Sequence, residues 1–253
     1  GDIRRLYRQF NVYRNLENKQ GTPKGLIYEV SMKELLITGF LAKPIYNRIE
    51  TKINGEVEYV LSEEDEAFFN RFGEFSEELK TKIAGSAARN KMIVDEYIEN
   101  KDRYGKTLIF ALNQEHARAL SYAFTEAGIS CDYAISDRPD NQEVIRAFKE
   151  NKFRVLINVQ ILTEGSDVPD IQTVFLTRQT NSDSLLMQMI GRALRGPAAG
   201  GTEEAIIVDF HDTWDKFSFW IDPQQLPIFE TEDDVVIEEP PVFQKAHSDS
   251  VSS

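Results

Sequence analysis

Thr107-Leu108-Ile109-Phe110-Ala111-Leu112 is a six-residue run with one hydroxyl and no charge, set between Lys106 and Asn113. An uncharged run of this length, rich in β-branched and aromatic residues, reads as a strand covered on both faces. The pattern then alternates. Gln114 to Ala127 is helical in period, Ser130 to Ile135 extended, Asn141 to Lys149 helical and Arg154 to Val159 extended. Thr173 to Thr177, Ser182 to Leu194 and Ala205 to Phe210 continue it as strand, helix and strand. Short strands separated by helices are joined by crossovers, which makes neighbouring strands parallel. The predicted fold class is α/β, a doubly wound parallel sheet.

Upstream, Leu26 to Val30 reads as a short strand, Ser31-Met32-Lys33-Glu34 as a capping box and Gly39 as a helix stop. Tyr46 to Ile53 and Glu56 to Leu61 flank Asn54-Gly55, a strong local hairpin signal. Ser62 to Asn100 is helical in pattern, and Phe68, Phe69, Phe72 and Phe75 form an aromatic stripe suited to a core or a docking surface.

The 253 residues carry 29 Lys and Arg against 42 Asp and Glu, a net charge of −13. Charge is uneven: from Asp222 to Ser253 eight acids face Lys245 alone, so −7 belongs to the tail and −6 to the longer body. An acidic total therefore leaves room for a local basic groove. Cys131 is the single cysteine, which excludes an internal disulfide and makes it a small core residue. His116, His211 and His247 are too dispersed for a zinc cluster, and in Asp209-x-His211-Asp212 the last residue is expected to cap a helix, so no metal site is assigned. No apolar run approaches the roughly 18 residues of a membrane span. The opening Gly-Asp-Ile-Arg-Arg is neither a start methionine nor a signal peptide, so a soluble, cytoplasmic fragment with no membrane partner is expected.

Two segments carry chemistry. Gln188-Met189-Ile190-Gly191-Arg192-Ala193-Leu194-Arg195 reads Q-x-x-G-R-x-x-R, and on a continuous helix residues 188, 191, 192 and 195 share one face. Solvated arginines on an amphipathic helix are the ordinary explanation. Gly191 inside that helix suggests instead a close approach to the backbone, and planar guanidinium groups suit a polyphosphate. About twenty residues earlier stands Thr163-Glu164-Gly165-Ser166-Asp167-Val168-Pro169, after an apolar strand; alone it would be a simple turn. Gly105-Lys106-Thr107 is not a phosphate loop, because Asn100 stands where the first glycine belongs and the triplet precedes a strand. Neither a G-x-x-x-x-G-K-[ST] loop nor a D-E-x-[DH] box occurs.

Together, residues 188–195 resemble motif VI, and residues 158–169 motif V, of superfamily 2 helicases and translocases; the nearest look is the helicase subunits of type I and type III restriction enzymes and related repair or defence translocases. The resemblance covers roughly residues 26 to 212. It implies a RecA-like second motor domain over residues 106–222, preceded by the end of the first motor domain with a crossover hairpin (1–61) and a helical connector (62–105). An acidic, flexible tail (223–253) would follow. It implies Arg195 as an arginine finger, Arg192 as a second γ-phosphate contact and Gln188 as a group orienting phosphate or water. Gly165, Gly191 and Asp167 would serve the nucleotide. Asn113, in Thr107 to Asn113 resembling motif IV, would touch the nucleic-acid backbone with Asn158, Val159 and Thr180; many relatives have threonine where Val159 stands. Both segments are expected at the carboxyl ends of the strands. ATP and Mg²⁺ would be held mainly by the first motor domain. The partners would be DNA and other subunits of a restriction, defence or repair complex.

Two functions follow: the C-terminal half of a DNA-dependent ATPase motor, or a non-catalytic nucleic-acid or partner-binding module. A phosphate loop and an acidic box encoded just upstream would decide for the motor.

Overall fold

The computed structural model describes residues 32–51, 62–159, 168, 170–178, 180 and 182–211. Helix α1 (Met32–Ile37) leads to strand β1 (Lys43–Glu50), and three helices follow: α2 (Glu63–Phe72), α3 (Glu77–Ala84) and α4 (Ala87–Tyr104). Each of these three begins at a serine. Ser62, Ser76 and Ser86 accept from the amides of Asp65, Leu79 and Arg89, satisfying donors that a first helical turn leaves unpaired. The alternating region then runs β2 (Thr107–Phe110), α5 (Gln114–Glu126), β3 (Cys131–Ala134), α6 (Asn141–Lys149), β4 (Val155–Asn158), β5 (Thr173–Leu176), α7 (Asp183–Ile190) and β6 (Glu204–His211).

The six strands form one sheet in the order β1-β6-β5-β2-β4-β3, every pairing parallel. Successive side chains leave a strand on opposite faces, and both faces here are covered. Leu108, Phe110, Leu156, Val174 and Ile207 join α6 and α7 through Val144, Phe148, Leu186 and Met189. Ile109, Ile157, Phe175, Ile206 and Val208 join α4 and α5 through Ile93, Tyr97, Leu120 and Phe124. Phe175 anchors the second layer, with Tyr104 edge-on to its ring at 5.3 Å. This is the doubly wound parallel sheet that the alternation predicts.

Three sequence expectations meet a different arrangement. Lys43–Glu50 includes most of the first arm read as a hairpin, yet it is a parallel strand lying beside β6 through eight register pairs, with Ile45 opposite Ile206 and Ile49 opposite Phe210. Asn54-Gly55 and Glu56 to Leu61 lie outside the described residues, as do the strand Leu26 to Val30, the cap Ser31, Asp212 and the acidic tail. The phenylalanine stripe divides: Phe69 and Phe75 are buried against Leu79, Ile83 and Leu112, whereas Phe68 and Phe72 are exposed. Cys131 is only partly buried. Its thiol donates to the Ser121 carbonyl at 3.4 Å, and burial raises its pKa above the ordinary thiol value.

Candidate functional site

Parallel strands bring their carboxyl ends to one edge, and there the residues after β2, β4 and β5 meet. The Ala111 amide donates to the Asn158 carbonyl at 2.9 Å, and the Thr177 hydroxyl donates to the Phe110 carbonyl at 2.8 Å. Asn113, three residues past β2, and Asn158, the last residue of β4, thus lie at the same end of two neighbouring strands. Their side chains have internal duties. Asn113 caps α5, its Oδ1 accepting from the His116 amide at 2.9 Å, while its Nδ2 reaches Thr81 Oγ1 at 3.5 Å. Asn158 is wholly buried and its Nδ2 donates to the Ile109 carbonyl at 3.1 Å. Asn158 Oδ1 has no hydrogen-bond partner among the described residues. Thr180 is buried, and its Oγ1 accepts from the Ser182 amide at 3.0 Å, shaping the turn before α7. Val159 is partly exposed, with its amide donating to the Ala134 carbonyl at 3.2 Å. Gly165 and Asp167 lie outside the described residues.

Beneath this edge runs a polar network that the sequence reading missed. Arg89, 2% exposed in the first turn of α4, donates to the Thr177 carbonyl at 3.0 Å. Beside it, His116 accepts the Leu112 amide at Nδ1 (3.2 Å), which leaves Nε2 carrying the proton toward Asn90 Oδ1 at 3.0 Å. Complete burial, reinforced by the Arg89 charge, holds the His116 pKa well below the ordinary histidine value, so the ring is neutral. Arg178, also buried, lies 3.6 Å from Glu74, which pairs with Lys80 at 3.0 Å. Burial pulls the Arg178 pKa down, while Glu74 and then Glu77 oppose that shift. One signal was available: Arg89 and Asn90 stand on the stripe continued by Ile93, Val94 and Tyr97, where helical period calls for apolar side chains.

The Q-x-x-G-R-x-x-R segment lies elsewhere. Helix α7 ends at Ile190, with Gly191 as its cap, so residues 188, 191, 192 and 195 do not share one helical face. Gly191 is tight for a local reason, since a Cβ there would stand 2.7 Å from the Met187 carbonyl of its own preceding turn. The amides of Arg192 and Ala193 bond three residues back, and the chain then straightens until Arg195 forms an antiparallel bridge with Leu41. Leu41 precedes β1, and Thr202, whose amide bonds the Arg195 carbonyl at 3.0 Å, precedes β6. Arg195 therefore sits at the amino-terminal ends of β1 and β6, opposite the edge that carries Asn113 and Asn158. A helix returning from the carboxyl end of one parallel strand must finish near the start of the next. Gln188, Arg192 and Arg195 are all partly exposed, and burial lowers the Arg192 pKa.

A sheet of this kind with those two segments has relatives. Residues 88–197 match the model of the helicase conserved C-terminal domain. This segment belongs to that family. Over these residues the chain is a helicase C-terminal domain of the superfamily 2 kind. The putative ATP-dependent helicase IRC3 of Saccharomyces cerevisiae is 39% identical over 110 residues, 42% of this chain and 16% of that protein. The putative mitochondrial ATP-dependent helicase irc3 of Schizosaccharomyces pombe is 36% identical over 129 residues, 50% of this chain and 21% of that protein. UvrABC system protein B of Bacillus caldotenax is 31% identical over 110 residues, 41% of this chain and 17% of that protein. The matched regions span about a fifth or less of these relatives. No described helix is long and apolar enough to cross a membrane, and no group of metal-ligating side chains occurs among the described residues.

Proposed function

We propose that this helicase C-terminal domain is the second half of an ATP-dependent DNA helicase or translocase, working in a restriction, defence or repair system, with Arg195 as its arginine finger. The observation that supports this best is the place of Arg195: a cation on extended backbone tied by hydrogen bonds to two neighbouring segments, with its side chain partly exposed. A guanidinium fixed in this way stabilises charge on transferring phosphoryl oxygens without reorganising first, which is where most of the catalytic benefit of such a group arises. Arg192, one turn earlier, adds a second cation for the same phosphates, and Gln188 a polar group on the last turn of α7.

ATP, when bound, supplies the phosphoryl group and its developing charge. The donor set here suits that polyanion, because the two candidate arginines offer planar forks rather than point charges. Because the sequence carries neither a G-x-x-x-x-G-K-[ST] loop nor a D-E-x-[DH] box, the ion and the phosphate loop are assigned to the first motor domain. Separation of the two edges suits a motor in which nucleotide and nucleic acid contact different surfaces. At the carboxyl edge Asn113, Asn158 and Thr180 are engaged internally, so a nucleic-acid backbone would be gripped there by main-chain amides, a sequence-independent mode.

In the full-length protein, Arg195→Ala is expected to lower kcat at least about a hundredfold while changing single-strand DNA affinity by no more than a few fold. Arg195→Lys should not restore turnover, since a flexible ammonium lacks the planar fork. Loss of DNA binding with ATPase spared would reverse the assignment and make this cationic surface a nucleic-acid site.

A further inference from the structure

Arg195 is held from both sides by backbone, and two glycines make that possible. On one side the Ala42 amide donates to the Leu194 carbonyl at 2.9 Å, the Gly196 amide to the Phe40 carbonyl at 3.0 Å and the Ala198 amide to the Gly39 carbonyl at 2.9 Å. On the other, the Thr202 amide donates to the Arg195 carbonyl at 3.0 Å and the Gly201 amide to the Gly196 carbonyl at 2.9 Å. A Cβ on Gly196 would fall 2.1 Å from the Gly39 carbonyl oxygen, and one on Gly201 would fall 1.9 Å from the Arg195 carbonyl oxygen. Backbone conformation does not demand glycine at either position. Gly196 has φ −84° and ψ 174°, ordinary extended geometry, and Gly201 is not among the glycines with positive φ. Close approach is the requirement: main chain must lie against main chain, which no other residue allows.

We infer that Gly196 and Gly201 are positioning residues for Arg195, forming with Gly39–Ala42 a backbone clamp that sets where its guanidinium emerges. This rests on the finger reading above. With the Arg195 carbonyl bonded to Thr202 and its neighbours Leu194 and Gly196 bonded to Ala42 and Phe40, the direction of the Cα–Cβ bond is fixed. The side-chain torsions then decide where along that direction the guanidinium lies. An added methyl at either glycine must push the carbonyl it meets, and at Gly201 that carbonyl belongs to Arg195 itself. Displacing a catalytic group by about 1 Å can cost around a hundredfold in rate with little effect on ground-state binding.

The test uses the full-length protein, measuring kcat, the KM for ATP and the melting temperature of Gly196→Ala, Gly201→Ala and Leu41→Ala, each alone and combined with Arg195→Ala. Leu41→Ala adds no atom and only loosens the strap opposite Arg195, so it decides the question if a glycine variant fails to fold. The glycine variants should lose about tenfold or more in kcat and Leu41→Ala a few fold, each with the KM for ATP within about threefold of wild type. Combined with Arg195→Ala, none should lower kcat further by more than about twofold, because a misplaced finger and a missing one lose the same interaction. Unchanged kcat in Leu41→Ala and in whichever glycine variants fold, losses confined to KM, or losses that multiply with Arg195→Ala would overturn the clamp. In those outcomes Arg195→Ala is itself defective. If Arg195→Ala turns over normally, it is the finger reading that has failed, and the clamp falls with it.

Discussion

The Arg89 guanidinium donates to the carbonyl of Thr177 at 3.0 Å, joining the first turn of α4 to the carboxyl end of β5 across 88 positions of sequence. Both residues are buried. Truncation would leave that carbonyl without this donor and open a void under the buried first turn of α4. Arg89→Ala is therefore expected to destabilise the fold by about 3 kcal/mol, at the upper end for a charged hydrogen bond. Urea unfolding of the variant checks this; a loss under about 1 kcal/mol would mean that the network relaxes around the gap.

His116 gives the same network a pH dependence. Its folded pKa lies well below the ordinary value, so below about pH 6.5 the unfolded chain takes up a proton that the folded chain refuses. The neutral ring's contribution is fully present above that pH and is lost progressively as pH falls toward the folded pKa. Unfolding free energy should decline from pH 6.5 to pH 5 in the wild type, and His116→Gln should flatten that slope whatever it costs at neutral pH. An equal slope in both proteins would assign the acid sensitivity to other groups.

What the sequence disclosed follows the range of the interactions that decide each feature. Strands β2, β4 and β5 are uncharged runs with apolar cores, and helices α5 and α6 are amphipathic between clear ends, so local pattern located them. The parallel pairing of β1 with β6 joins Lys43 to Glu204, a contact no local signal records, and Asn54-Gly55 drew the reading toward a hairpin instead. The end of α7 escaped for a similar reason. Arg192 and Ala193 continue the helical period, but beyond Ile190 the helix gives way to a turn and the chain then runs extended into the bridge with Leu41. Among the site candidates, the structure uses Asn113 as a helix cap and Thr180 as a turn former, roles that asparagine and threonine fill anywhere.

The 253-residue chain should not hydrolyse ATP unaided. It contains no phosphate-loop sequence and no acidic box, and those elements supply most nucleotide binding and the magnesium ligands. Steady-state phosphate release by the purified chain, with and without single-stranded DNA, should match the buffer background. Nucleic-acid-stimulated turnover would place a complete ATP site within these residues.

The divided phenylalanine stripe offers a contrast of two variants three residues apart. Phe69 is fully buried, its ring 5.1 Å from that of Phe75, in the small core that seats α2 and α3 against Leu112 at the end of β2. Phe72 is 55% exposed; its ring lies 4.5 Å from Phe68, with Arg71 over it at 5.1 Å. Phe69→Ala should cost about 3 to 5 kcal/mol and loosen the seat of both helices, because a cavity of this size in a small cluster has few side chains to collapse into it. Phe72→Ala should stay within about 1 kcal/mol, the loss of one exposed ring contact and one cation–π contact. Chemical denaturation of the pair measures the difference directly. Equal costs would mean that Phe72 is covered by a part of the protein outside the described residues, and that the exposed half of the stripe is an internal interface.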